Sequence, residues 1–323
     1  MSAETGNDTS LIEQAAKRLR QQQSAEPAPE PTPASASAAT DAPSAAAEPQ
    51  GARTPPTPQA SPEDEDEDQD RGARVTIDLA RLKAEGCVTP DGDRSRVAEE
   101  FRIIKRPLLE NAFGRTALLV EQGNLIMVTS SLPGEGKTFT TVNLAMSIAM
   151  EMDKTVLLVD ADVGRARVHK MLNIPMGPGL IDLMVDPSLD VGDVMLRTNI
   201  PKLRIIPMGK FHPHANELLA SGDMQRLLHE MASRYEDRVI LFDSPPLLVT
   251  SEAVVLSNLV GQIVFVVEAQ RSLQHSVKDA LGLLDASKPI GLVLNKTRHL
   301  GGDYYYGYGG YGLGGYGQGE ERT

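Results

Sequence analysis

The chain has 323 residues, 41% apolar and 4% aromatic, with a formal net charge of −12, one cysteine and no tryptophan. That length suits one large domain with extensions, and the apolar share supports a core that must be mainly aliphatic. A single cysteine excludes a disulfide framework or multi-cysteine zinc site, and no apolar run is long enough for a transmembrane helix.

The first segment, residues 1–23, carries a short amphipathic pattern. Leu11, Ile12, Ala15, Ala16 and Leu19 recur at helical spacing, and Ser10 with Glu13 forms a capping-box signature. Either this is a docking helix for a partner or membrane surface, or it is a nascent helix too short to hold alone. No basic stretch followed by an apolar one precedes it, so a cytoplasmic chain is expected.

Residues 24–73 read as a disordered linker. Positions 24–70 hold ten of the 22 prolines, eleven acids and one base, Arg53. Such a composition cannot bury enough apolar surface to offset its ordering entropy, and the acidic run 63–70 extends it by self-repulsion. The rest of the chain is then nearly neutral, which argues against a broad nucleic-acid surface.

Residues 74–300 change character. Short apolar runs predict strands at Leu125–Thr129, Thr155–Val159, Leu203–Met208, Arg238–Phe242, Gln262–Val267 and Ile290–Leu294. Helical patterns fall between them at Lys137–Met152, Asp223–Arg234, Glu252–Leu259 and Ser272–Ala286. Continuous apolar strands alternating with helices predict an α/β fold: a doubly wound, mostly parallel sheet with helices on both faces and ligands at the carboxyl ends of the strands. Residues 301–323 hold Tyr304, Tyr305, Tyr306, Tyr308, Tyr311 and Tyr316 among dense glycines, a composition from which a flexible tail is expected.

Three motifs carry chemistry. Ser130-Ser131-Leu132-Pro133-Gly134-Glu135-Gly136-Lys137-Thr138 sits between a predicted strand and a predicted helix, the context of a P-loop. Gly134 and Gly136 let backbone N–H groups close around phosphate oxygens, Lys137 supplies a charge for the β- and γ-phosphates, and the Thr138 hydroxyl can ligate Mg²⁺. The place usually taken by the first glycine is Ser131. The second motif is Leu157-Leu158-Val159-Asp160-Ala161-Asp162, whose two carboxylates share one side if the strand continues. Such a pair can hold Mg²⁺ and accept a proton from a hydroxyl. The third is an apolar strand ending in Asp243-Ser244-Pro245-Pro246, a Walker B arrangement that orients Mg²⁺ or its water.

Together these stretches resemble the Walker A, Walker A′ and Walker B segments of bacterial tyrosine kinases (BY-kinases). Asn216 to Ser221 is similar to another recurring segment of that family, and the tyrosine tail completes the pattern. The order of parts is most similar to the autokinases encoded with exopolysaccharide and exosortase systems. The resemblance implies an ATP- and Mg²⁺-dependent protein-tyrosine kinase that phosphorylates the tail tyrosines of a neighbouring subunit and so regulates exopolysaccharide synthesis or export. By that analogy Ser131, Pro133, Gly134, Glu135, Gly136, Lys137, Thr138 and Phe139 bind the nucleotide. Asp160 activates the tyrosine hydroxyl, and Asp162 and Asp243 join Thr138 at the metal.

The same resemblance implies homo-oligomers such as rings, through Glu99, Arg102 and Lys105. It also implies a membrane chain-length-determinant-like polysaccharide copolymerase as partner, holding the chain at the inner face of the membrane, and a phosphotyrosine phosphatase. Two features depart from the family pattern. Gly164 takes the place of an Arg two residues after Asp162, with Arg165 next. Lys105 replaces the last Arg of the oligomerisation triplet. The rival readings are a partition- or cell-division-type ATPase, which commonly carries an extra lysine where this chain has Leu132, and a non-catalytic ATP-dependent scaffold. His212 and His214 read as polar loop residues, and Cys87 as a structural or incidental thiol.

Overall fold

Short apolar strands buried on both sides, with alternate residues joining different cores, set the architecture. In strand β1, Ile126 and Val128 join one hydrophobic core while Leu125 and Met127 join a second. In β2 and β5 the same alternation sends Val156, Leu158, Val239 and Leu241 to the first core, and Leu157, Val159, Ile240 and Phe242 to the second. Both faces of the sheet are therefore covered, which is why these strands show no polar side.

The computed structural model describes residues 72–91, 95–114, 120–234 and 237–297. The expected N-terminal helix, the acidic linker and the tail with its six tyrosines lie outside the described residues. In chain order the elements are α1 (Leu79–Ala84), α2 (Arg96–Phe113), β1 (Leu125–Ser130), α3 (Lys137–Ala149), β2 (Thr155–Asp160), α4 (Val168–Leu172), α5 (Leu180–Val185) and α6 (Val191–Val194). There follow β3 (Leu196–Arg197), β4 (Leu203–Ile206), α7 (Ala215–Leu219), α8 (Gly222–Arg234), β5 (Arg238–Asp243), α9 (Ser251–Leu259), β6 (Gln262–Glu268), α10 (Gln274–Leu281) and β7 (Ile290–Asn295).

The seven strands run in the order β3-β4-β2-β5-β1-β6-β7. Every pairing is parallel except β3 with β4. Helices α1 to α4 pack on the first face through Leu82, Phe101, Met146 and Leu172. Helices α5 to α10 cover the second through residues such as Leu180, Leu219, Leu228, Leu256 and Ala280. Fully burying one such side chain is worth roughly 1.5–3 kcal/mol.

Several boundaries differ from the pattern reading for local reasons. Strand β4 stops at Ile206 because Pro207 has no N–H to give and Gly209 turns the chain at φ 92°. The carbonyls of Pro207 and Met208 instead accept from the backbone of Leu180 and Ile181. Helix α10 is shorter than Ser272–Ala286, because the Ser272 hydroxyl accepts from Glu268 N at 2.9 Å and Gly282 follows its last turn. Helix α2 starts where the Ser95 hydroxyl accepts from Ala98 N and continues through Pro107. The missing N–H of that proline falls opposite exposed Ile103, where water can take its place.

Candidate active site

The phosphate-type loop bridges β1 and α3, at the carboxyl end of the sheet. Its shape depends on two left-handed glycines, Gly134 at φ 89° and Gly136 at φ 102°. Gly136 also has no room for a side chain, since a Cβ there would stand 1.9 Å from Asn295 Nδ2. That amide donates to the Glu135 carbonyl at 2.9 Å, and Lys296 Nζ donates to the Gly134 carbonyl at 2.7 Å. The end of β7 thus holds the loop from outside.

From inside, the loop is held by a buried carboxylate. Glu135 accepts from the Ser131 hydroxyl at 2.8 and 3.0 Å, from Leu132 N at 2.7 Å, and from the Ser272 hydroxyl. This explains Ser131 where a glycine is usual: its hydroxyl satisfies the charge of Glu135. Both side chains are buried and turned away from the cavity that Pro133, Gly134, Gly136, Lys137, Thr138 and Phe139 line.

That cavity has a volume of about 800 Å³. Lys137 is 7% exposed, and among the described residues no hydrogen bond or ion pair engages its ammonium. Burial holds it below the usual lysine pKa, against the opposing pull of Asp243, Asp162 and Glu135.

The three acids take different positions. Asp243 closes β5, adjacent to β1, and is 1% exposed. Its carboxylate accepts from Thr138 Oγ1 at 2.7 Å and Thr141 Oγ1 at 3.1 Å. Asp160 closes β2, directly opposite Asp243 in the register. It accepts from Arg167 N and Val168 N, both at 3.1 Å, and from Asp162 N at 3.3 Å. Burial raises both carboxyls above the ordinary range; Asp243 raises Asp160 further, and the Thr138 hydrogen bond and Lys137 charge partly offset the rise of Asp243.

Asp162 departs from the expectation that it would share a side with Asp160. The strand ends at Asp160, so Asp162 lies on the following loop and, alone of the three acids, lines the cavity. Arg165 N donates to it at 3.0 Å, and Gly164, Arg165 and Arg167 line the same wall. An Arg side chain is therefore present at the cavity despite Gly164.

The residues present fit a hard divalent cation in part. They offer oxygen donors only, from Thr138, Asp243 and Asp162. Among the described residues no group of three or more His, Cys, Asp or Glu is placed to enclose a metal. This is the donor set expected of Mg²⁺, which keeps several waters and takes its remaining oxygens from substrate phosphates.

Some contributors were missed from sequence. Thr141, Asn295, Lys296 and Ser272 brace the site, and Arg81 and Glu85 at α1 line the cavity. Asp78 caps α1 by accepting from Arg81 N, a signature that could have located the helix but not its place in the fold. The expected interface triplet is split. Glu99 and Arg102 pair with each other at 2.7 Å on the outer side of α2. Lys105 turns inward instead: it is 5% exposed, donates to Ser147 O at 2.5 Å and pairs with Glu151 at 2.6 Å. Its ammonium is thereby committed within its own subunit.

A family profile described as an AAA domain matches residues 123–279. The chain is 30% identical over 220 residues to the tyrosine-protein kinase YwqD of Bacillus subtilis, covering 67% of this chain and 88% of that one. It is 29% identical over 223 residues to the putative tyrosine-protein kinase CapB of Staphylococcus aureus, covering 68% and 93%. Of the longer tyrosine-protein kinase Ptk of Acinetobacter johnsonii, it spans 25%. The kinase domain of the Escherichia coli tyrosine kinase ETK shares the fold at TM-score 0.55 and 24% identity, over 76% of this chain and all of that one. With its phosphate loop, paired strand-end acids and sheet order in place, the chain belongs to the bacterial tyrosine-protein kinase family.

Proposed function

We propose that this protein is an ATP- and Mg²⁺-dependent tyrosine autokinase that phosphorylates the C-terminal tyrosine cluster of a neighbouring subunit and regulates exopolysaccharide synthesis or export. The observation that carries this reading is one wall of the cavity. There Lys137, Thr138, Asp162 and Arg165 converge, with Asp243 hydrogen-bonded to Thr138 behind them. Around a bound triphosphate, Mg²⁺ would neutralise charge on the β- and γ-phosphates. Thr138 and Asp243 would hold it, with Asp162 nearby.

The remaining work belongs to the chain. A loose phosphoryl-transfer transition state needs positioning and charge neutralisation more than covalent help. The backbone N–H groups after Gly134 and the Lys137 ammonium supply fixed positive charge to the phosphates. Arg165 supplies a further cation at the cavity wall. Asp162, as the cavity-facing acid, is better placed than Asp160 to accept the proton of an incoming tyrosine hydroxyl. Asp160 holds the loop that presents it. The tail, rich in glycine, would reach a neighbour's cavity, and Glu99 with Arg102 would contribute to the contact between subunits. A membrane copolymerase of the chain-length-determinant kind would be the partner, and a phosphotyrosine phosphatase would reset the tail.

A mixing experiment tests the cross-subunit step. An active chain ending at residue 300 is combined with full-length Lys137→Met and Mg²⁺-ATP. Phosphotyrosine on the Lys137→Met tail supports transfer between subunits. An unmodified tail, when the intact active chain does phosphorylate itself, refutes it.

A further inference from the structure

Five cations and two acids line the cavity, and nucleotide binding uses only Lys137 and Arg165 among the cations. Arg167, Lys170 and Arg81 are left over. Arg167 caps α4 and Lys170 lies three residues on, a spacing that makes their side chains neighbours about 5–6 Å apart. Both are exposed, while Val168 and Leu172 of the same turn are buried in the first core. Arg81 of α1 reaches the same wall, where it donates to the Met171 carbonyl.

Neither acid of the lining neutralises Arg167 or Lys170. Glu85 pairs with Arg81 at 2.8 Å, and Asp162 accepts from the backbone of Arg165. Among the described residues no carboxylate pairs with the side chain of Arg167 or Lys170. On an open surface two such cations would be a solvated face; here they wall a cavity.

The pair stands on the acceptor side of that cavity. Asp160 and Asp243 end β2 and β5 side by side, and Arg167 N donates to Asp160 at 3.1 Å. The turn and helix that follow β2 are therefore anchored at the strand-end acids. Asn295 and Lys296 hold the phosphate loop from β7, on the other side of β1. Acids at this place serve the transferred phosphoryl group, and an in-line acceptor must arrive there. Lys137, held below its usual pKa first by burial, is also lowered by the charge of Arg167, which places that guanidinium within electrostatic reach of the phosphate loop.

We infer that Arg167 and Lys170 form an anion subsite for the acceptor peptide, taking a phosphotyrosine next to the tyrosine being phosphorylated, so that a partly phosphorylated cluster is a better substrate than an unmodified one. This rests on the autokinase reading and names the preference of that same site. A phosphotyrosine brings about −1.5 to −2 charges and three acceptor oxygens, which suit a guanidinium and an ammonium held side by side. In the sequence Tyr304, Tyr305 and Tyr306 are consecutive and Tyr308 follows two residues later. A phosphate on one of these lies at most about 7 Å of chain from its neighbour. The transfer is unchanged: a P–O bond forms to the tyrosine oxygen, the bond to ADP breaks, and the phenolic proton passes to Asp162.

The test gives the full-length chain, with Mg²⁺-ATP, three synthetic glycine-spaced peptides that each hold one acceptor tyrosine. The residue beside that tyrosine is phosphotyrosine, Glu or Phe. For the wild type, kcat/KM should be about three- to tenfold higher on the phosphotyrosine peptide than on the Phe peptide, fading in high salt. In the double variant Arg167→Gln, Lys170→Gln the ratio should fall to about one. Equal kcat/KM on the two peptides in the wild type, or a ratio that survives in the variant, overturns the subsite and leaves the kinase reading intact. A Glu peptide as good as the phosphotyrosine peptide would assign the subsite to acidic acceptors and overturn the phosphate-primed order. A variant that loses ATP affinity, and slows equally on all three peptides, would assign the two cations to the nucleotide and overturn the subsite. No incorporation into any peptide or into the tail overturns both readings.

Discussion

Nδ2 of Asn295 sits 1.9 Å from the point where a Cβ on Gly136 would be, while donating to the carbonyl of Glu135 next door. The end of β7 and the phosphate loop are therefore built against each other, and the loop's fit depends on the absence of one side chain. Gly136→Ala would have to move this amide and hold alanine at φ 102°, a region costing about 1–2 kcal/mol. The variant should lose that much stability by urea unfolding and, with the loop displaced by the same strain, bind ATP about five- to thirtyfold more weakly, the ratio that about 1–2 kcal/mol gives. Wild-type affinity in the variant would contradict this.

Lys137 gives the opposite balance of stability and activity. Its ammonium is buried and, among the described residues, held by no hydrogen bond, so removing its charge relieves a desolvation cost in the nucleotide-free protein. Lys137→Met should melt no lower than wild type without nucleotide, yet lose about two to three orders of magnitude in phosphoryl transfer. A large drop in melting temperature would mean that the lysine braces the fold.

Much of this arrangement was legible in the sequence, and the reason is physical. Runs such as Val239–Phe242 are apolar on both sides because both faces of the sheet are covered, and each active-site acid follows where such a run ends. What pattern could not give was direction. Asp160 and Asp162 are two residues apart, but the strand stops between them, so one is tied up by backbone N–H groups and the other faces the cavity. Lys105 likewise reads as a surface residue at the spacing of an interface triplet. Only the packing of α2 on α3 shows that it reaches Ser147 and Glu151. Contacts between distant segments, such as Ser272 with Glu135, leave no local signature at all.

Glu135 should act as a brace for the loop. Its carboxylate accepts from two hydroxyls and one backbone N–H. Glu135→Gln replaces an acceptor-only group by one carrying an NH₂ that faces these donors. The expected loss is about 1–3 kcal/mol by urea unfolding. Ser131→Gly, restoring the usual loop residue, should also destabilise, because it removes one of those donors. A stability unchanged by both substitutions would rule out the brace.

Cys87 provides a pH readout. Burial pushes its thiol above the ordinary value of 9.0, the Asn143 hydrogen bond opposing. A raised pKa in the folded state means that the unfolded chain loses the proton first. Stability from this group is therefore full below that ordinary value and falls as pH rises through the folded pKa. Wild type should lose stability between pH 8 and about 10 more steeply than Cys87→Ala. In the folded protein at pH 8 the thiol should react with iodoacetamide far more slowly than in urea. Equal rates in the two conditions would contradict its burial.

Tyrosine autophosphorylation is read by incubating the purified full-length chain with Mg²⁺-ATP, with Lys137→Met alongside, and mapping phosphotyrosine by mass spectrometry. Stepwise additions should appear on tyrosines 304–316 of the wild-type chain and none on the variant. Nucleotide binding or hydrolysis with an unmodified tail, even when a membrane partner's cytoplasmic segment is added, would contradict it.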